Sequence, residues 1–241
     1  MGRIDDALLT LDGIDDTTER AMQLAGLIST LFKLKGVVLI VTGQLAFDSY
    51  ANAASDKPEL ELATFSGQLA PRIVLEIMRG QVRAKGSLHH WVVAGIPVRF
   101  LGEVNIVYRE LCRDFVTDLG VVKLMPAEEI TAERIVAAVY PEPNTESQTQ
   151  ARLLLINALS EAFQMDWAAL QTLCHRAEYR VGEELAQMRL AAKKDVDAIG
   201  ASPDQTGRAV PPPQEEASEK ARKASAAAAA KALDDIVTRG F

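Results

Sequence analysis

Residues 36–43 read Gly36-Val37-Val38-Leu39-Ile40-Val41-Thr42-Gly43, with five consecutive valine, leucine or isoleucine residues between glycines. An uninterrupted apolar run of this length, bounded by glycine, predicts a strand over 37–41 buried on both faces. Upstream, residues 16–34 place Met22, Leu24, Leu27, Ile28, Leu31 and Phe32 at helical spacing after an Asp/Thr start. That spacing predicts an amphipathic helix stopped by Gly36. Downstream, Gln44–Ala54 again has helical spacing, and Ser55-Asp56-Lys57-Pro58 breaks it. Residues Glu59–Phe65 then alternate acid and apolar before turning apolar. Period-two alternation predicts a second strand, with Glu59 and Glu61 on one face and Leu60 and Leu62 on the other. The decisive unit is therefore strand, glycine turn, helix, strand.

The rest of the chain extends that unit. Apolar spacing predicts a helix over 67–80 ending at Gly80, then strands Leu88–Val93 and Ile96–Leu101 joined by an Ala94-Gly95 hairpin turn. Asn105–Leu119 is predicted helical, Val121–Leu124 a short edge strand, and Pro126-Ala127-Glu128-Glu129 the start of a helix running towards Tyr140. Residues 141–150 read as a polar loop and Ala151–Ile199 as further helix. The predicted fold class is α+β: a mixed sheet with flanking helices over 1–125, followed by a helical lobe over 126–199. Pro203 and Pro211-Pro212-Pro213 mark a linker over 200–214, and residues 215–241 form an Ala-rich segment of high helix propensity. In that tail Leu233, Ile236, Val237 and Phe241 make one short apolar face suited to a protein partner or to self-association.

Composition narrows the function classes. With 241 residues, 48% hydrophobic and 24% charged, the chain has enough apolar material for a sizeable core. Acids outnumber bases 33 to 26, and the net charge of -7 argues against broad DNA or RNA backbone binding. Residues 200–241 carry six acids and six bases, so the acidic excess belongs to the preceding body. Cys112 and Cys174 have no metal-ligand spacing, and with His89, His90 and His175 they read as structural residues, the thiols reduced. No basic stretch precedes an apolar run near Met1, Asp6 stands where a myristoylation signal wants Ser or Thr, and Val37–Val41 is too short to span a bilayer. A cytoplasmic protein without membrane association is expected. No Ser/His/Asp triad, P-loop or dinucleotide fingerprint is readable.

One constellation carries chemistry. Thr42-Gly43-Gln44 ends a buried strand and opens a helix, and fifteen residues separate Gly43 from Glu59-Leu60-Glu61 on the next strand. Further on lies Gly95-Ile96-Pro97-Val98-Arg99-Phe100-Leu101. Over roughly residues 16–180 this order resembles the nucleotidyltransferase superfamily with the polymerase-beta-like fold, above all its bacterial branch related to abortive-infection toxins. The resemblance implies a nucleotide-binding turn at Gly43 and Gln44, where the family has Gly-Gly or Gly-Ser and helix N–H groups hold phosphate. It places Glu59 and Glu61 where the family's Asp-x-Asp holds two Mg2+ ions, and Arg99 where the family carries a third acid. The catalytic positions it implies are thus Glu59, Glu61 and Arg99, with Glu59 and Glu61 as the metal positions.

These departures set the functional expectation. A glutamate is one methylene longer than aspartate, and displacing a metal by about 1 Å costs on the order of a hundredfold in rate. An arginine at the third position reverses the sign of a ligand and is expected to pair with Glu59 or Glu61. The leading reading is a degenerate nucleotidyltransferase-like protein of bacterial or phage type, acting by nucleotide or protein-partner binding. One alternative is an active, toxin-like transferase that uses Mg2+ and NTP to modify a protein or RNA acceptor. The other is a structural adaptor working through its C-terminal helix. Each residue also has a plainer explanation: alternating acids often form only a solvated strand face, and a strand–glycine–helix junction occurs in many α/β folds.

Overall fold

A computed structural model describes residues 3–55, 57–65 and 69–201. The chain opens with a helix the sequence reading omits, α1 (Arg3–Asp12), whose Ile4, Ala7, Leu8 and Leu11 pack on the main core. Asp16 then starts α2 (Thr17–Lys33): its carboxylate accepts the backbone N–H groups of Thr18 and Glu19 at 2.8 and 3.0 Å. Such a cap stabilises a helix by about 1 kcal/mol. The α2 face bearing Leu24, Ile28 and Phe32 is fully buried, at about 1.5–3 kcal/mol for each large side chain.

The apolar run after α2 forms a shorter strand than expected. Pairing is confined to β1 (Ile40–Thr42), because Gly36 and the Val37 N–H, which bonds Phe32 O at 3.0 Å, still belong to the turn leaving α2. Val38 is consequently exposed while Val37 and Leu39 are buried. From Ile40 onward the strand has neighbours on both sides, as its apolar run requires. It pairs antiparallel with β2 (Leu60–Thr64) and parallel with β7 (Gly120–Leu124). Between β1 and β2 lies α3 (Gly43–Ala51).

The remaining strands complete a seven-stranded mixed sheet in the order β3 (Lys85–Ser87), β4 (His90–Val93), β5 (Ile96–Glu103), β2, β1, β7 and β6 (Arg113–Thr117). The helix expected over 67–80 starts later, with Pro71 at the first position of α4 (Pro71–Leu75), and runs on as a wider π-helical turn over Glu76–Gln81. A short polar strand, β3 (Lys85–Ser87), precedes the expected hairpin of β4 (His90–Val93) and β5 (Ile96–Glu103), in which Val93 pairs with Ile96 across Ala94-Gly95. Strand β5 lies parallel to β2. The Phe100 ring sits 5.5 Å from Phe32, so α2 covers this face of the sheet.

Two expectations are corrected around residue 115. Asn105–Leu119 is not a helix: it is a loop, one 3-10 turn at Arg109–Leu111, and the edge strand β6 (Arg113–Thr117). Val121–Leu124 is accordingly not an edge, since β7 lies between β1 and β6. The reason is the hairpin closed by Asp118-Leu119, in which Thr117 pairs with Gly120. Gly120 has φ +153 and lies so close to α2 that a Cβ there would sit 2.5 Å from Gly26 O. The β-branched Val116 and Thr117 complete a strand whose register is fixed by that contact.

The lobe consists of α5 (Ala127–Val139), α6 (Thr145–Leu159), α7 (Trp167–His175) and α8 (Gly182–Ala201). The polar loop expected over 141–150 is shorter, because the Asn144 side chain caps α6 by accepting the Ser147 N–H at 2.9 Å. Ile135, Leu155, Leu170, Leu173 and Cys174 form a second buried cluster, while Ala127, Ile130 and Leu154 belong to the main one. Helices α5 and α6 thus join the lobe to the sheet. Helix α8 extends past the expected linker start at 200, whereas the rest of the linker and the tail over 215–241 lie outside the described residues. Among the described residues no helix is long and apolar enough to cross a membrane.

Candidate functional site

The strand pairings dictate where the acidic residues sit. Thr42 pairs with Glu61 across β1 and β2, and Glu61 pairs with Arg99 across β2 and β5. Paired residues project to the same face of a sheet, and Glu59, two residues before Glu61, projects there too. The sheet therefore gathers Glu59, Glu61 and Arg99 beside the turn into α3.

Arg99 holds both carboxylates. A terminal guanidinium nitrogen hydrogen-bonds Glu61 Oε1, and Nε lies 3.3 Å from Glu59 Oε1 in an ion pair without hydrogen-bond alignment. The pairing anticipated for an arginine at this position is present, and one guanidinium faces two acids. Side-chain exposure is 16% for Glu61, 37% for Arg99 and 40% for Glu59, so water screens the Glu59 contact far more than the Glu61 contact. His90, directly opposite Arg99 on β4, extends the same face. The sequence alone gives His90 no functional signal, because its neighbour is visible only through the register.

Gly43 is where the turn meets this cluster. Its φ is +64, and a Cβ added there would overlap Glu61 Oε2 and lie 2.7 Å from Glu61 Cδ. Only glycine combines that backbone with so close an approach. The other Glu61 oxygen thus lies at the amino end of α3, where the helix dipole favours negative charge. Thr42, the residue before α3, makes no side-chain cap, and its buried Oγ1 has no hydrogen-bond partner.

Gln44 is engaged elsewhere. Its side chain donates to Asp48 Oδ1 at 2.8 Å and accepts from Arg134 and Gln150 at 3.4 Å each. It ties α3 to α5 and α6, which leaves only its backbone for the role the resemblance implies. Asp48 is itself buried and also accepts from Ser55 Oγ at 2.6 Å.

Two further glutamates, which the sequence marks only as a helix start, belong to the interior. Glu128 and Glu129 look like an ordinary acidic first turn, yet they are 1% and 0% exposed. Glu129 accepts the Val107 N–H at 2.8 Å and the Tyr179 hydroxyl at 3.2 Å. Burial and the Glu129 charge push the Tyr179 phenol up. Glu128 accepts the Asp166 N–H at 2.7 Å through Oε1, while its buried Oε2 has no hydrogen-bond partner. Burial also pushes Cys112 up to about 11 and Cys174 up to about 12, which keeps both thiols protonated at neutral pH. Among the described residues no three His, Cys, Asp or Glu side chains are grouped to hold a metal ion.

No family model, no curated protein and no solved structure matches this chain.

Proposed function

We propose that this chain is a nucleotidyltransferase-like protein that works by binding a protein partner rather than by metal-dependent nucleotidyl transfer. The observation that carries the reading is Arg99, whose guanidinium lies against both Glu59 and Glu61 at the positions the family uses for Mg2+ ligands. A cation already stands against the pair and offsets one of its two charges, and a divalent ion would have to displace it. The Glu61 carboxylate also lies against Gly43 at the amino end of α3, so the phosphate seat of an active relative is filled by the chain's own anion. Both features favour a binding role over transfer, and an anion-bearing nucleotide is the disfavoured guest.

Incubation of the full chain with α-labelled NTPs and Mg2+ or Mn2+, with and without cell extract as acceptor, tests this directly. The expected result is no label on the protein, on any extract protein or on RNA, and no Mg2+-dependent NTP binding by calorimetry. Labelling that disappears in Glu61→Ala would overturn the reading and favour the active transferase.

A further inference from the structure

The two edges of the seven-stranded sheet are finished differently. Strand β3, at one edge, is three residues long, polar throughout, and begins with Lys85. Shortness and a lysine are common guards against a further strand adding to an edge. Strand β6, at the other edge, is five residues long and carries Phe115-Val116 at its centre, 41% and 45% exposed. Its inner side is taken by β7, and among the described residues no strand pairs with its outer side. Backbone groups of a strand alternate between its two sides, so β6 presents a row of open donors and acceptors. Beside this edge lies a groove of about 510 Å3, between the first half of α2 and the end of α3. Thr117 lies against Gly26 of α2, so Phe115, two residues earlier, shares that face, whereas Val116 and its partner Val121 are exposed on the opposite one. The groove's charged residues are Asp16, Glu19 and Asp48, with no base among its described lining.

We propose that the outer edge of β6 docks an extended segment of a partner protein in which basic and apolar side chains alternate. Backbone pairing to a free edge supplies the affinity of an added strand, and alternate side chains supply its specificity. Side chains on the α2 side enter the groove and meet the exposed carboxylates of Asp16 and Glu19, which selects lysine or arginine. Those on the opposite side cover Val116 and Val121, which selects valine, isoleucine or threonine. The chain's net charge of -7 steers a basic segment towards it and opposes the approach of a second copy. This docking rests on the partner-binding role proposed above but uses a different surface. Strands β2, β1 and β7 separate β6 from β5, which carries Arg99, so the two proposals stand or fall by separate measurements.

Calorimetric titration of the full chain with the peptide acetyl-Thr-Lys-Val-Lys-Val-Lys-Thr-amide tests this, and amide hydrogen exchange locates the contact. One comparison peptide carries glutamate in place of each lysine. The other is N-methylated at its five central residues, which keeps side chains and charge but removes the donors a strand needs. Saturable binding of the first peptide is expected, with at least about tenfold weaker binding of the acidic one and none of the N-methylated one. Exchange should slow at residues 113–117 and stay unchanged at 85–87. Val116→Lys, a guard of the kind β3 carries, should weaken binding at least about fivefold. If that variant does not fold by circular dichroism, the N-methylated peptide and the exchange map decide. Absence of saturable binding, equal binding of the N-methylated peptide, protection away from β6, or undiminished affinity in folded Val116→Lys would overturn the proposal. A doubling of mass with rising protein concentration, abolished by Val116→Lys, would assign the edge to a second copy and overturn it as well.

Discussion

Two glutamate pairs, Glu59 and Glu61 on the sheet and Glu128 and Glu129 on α5, sit in opposite physical circumstances. The sheet pair is spaced by two, so both side chains leave one strand face and meet the same guanidinium. The helix pair is adjacent, so its side chains leave α5 about 100° apart and serve different neighbourhoods. Glu128 reaches the α7 cap at Asp166, whereas Glu129 reaches Val107 and Tyr179. The sheet pair is partly wet and shares one cation. The helix pair is dry and held by neutral donors, with one oxygen left over. Side-chain burial decides which pair the fold depends on.

The largest effect should therefore come from Glu129. Glu129→Ala strands the Val107 N–H and the Tyr179 hydroxyl, and should cost about 2–4 kcal/mol of stability. Urea denaturation with an unchanged m-value measures it. Glu129→Gln, which keeps an acceptor, should cost clearly less. A loss below about 0.5 kcal/mol in the alanine variant would mean that water reaches those donors, and the contrast between the two pairs would collapse.

Next in size is Gly43. An alanine there meets both a positive φ and the Glu61 carboxylate, and should cost about 1–3 kcal/mol. A double-mutant cycle with Glu61→Ala sharpens the comparison, because removing the carboxylate relieves the overlap but not the backbone strain. A favourable coupling of at least about 0.5 kcal/mol is expected. Strict additivity would show that the turn and the sheet pair are independent, and the idea of a filled phosphate seat would lose its structural basis.

Much of the fold was legible because its signals are local. The apolar run ending at Val41, the alternation in Glu59–Phe65, the Ala94-Gly95 turn and the helix after Pro126 each follow from spacing within about ten residues. The resemblance, not local spacing, brought Gly43, Glu59, Glu61 and Arg99 together; alternation by itself placed only Glu59 and Glu61 on one strand face. What failed was decided at a distance. Leu111, Cys112, Phe115 and Val116 suit a helix face as well as a strand, and only the Gly120–Gly26 contact with α2 selects the hairpin. Helix α1 carries a local signal of its own, apolar residues at Ile4, Ala7, Leu8 and Leu11 that pack on the core. The burial of Glu128 and Glu129 had no local signal, because charged first turns are usually solvated.

The smallest effect should come from Arg99, and its size tests the contrast most finely. Arg99 and Glu59 are more than a third exposed, so their attraction is largely screened and the two side chains lose rotamer freedom in meeting. Glu61 is drier, yet removing Arg99 leaves its carboxylate beside the amino end of α3, where the dipole still stabilises it. Arg99→Ala should therefore cost no more than about 1 kcal/mol at low ionic strength. At about 1 M salt, where the screening length is near 3 Å, the cost should shrink further. Arg99→Lys should keep one contact at most, since an ammonium cannot span two carboxylates as the guanidinium fork does. A loss in Arg99→Ala as large as that in Glu129→Ala, and insensitive to salt, would place the sheet acids in a dry network like that of α5. Glu59 and Glu61 would then be structural residues of the core rather than a binding face.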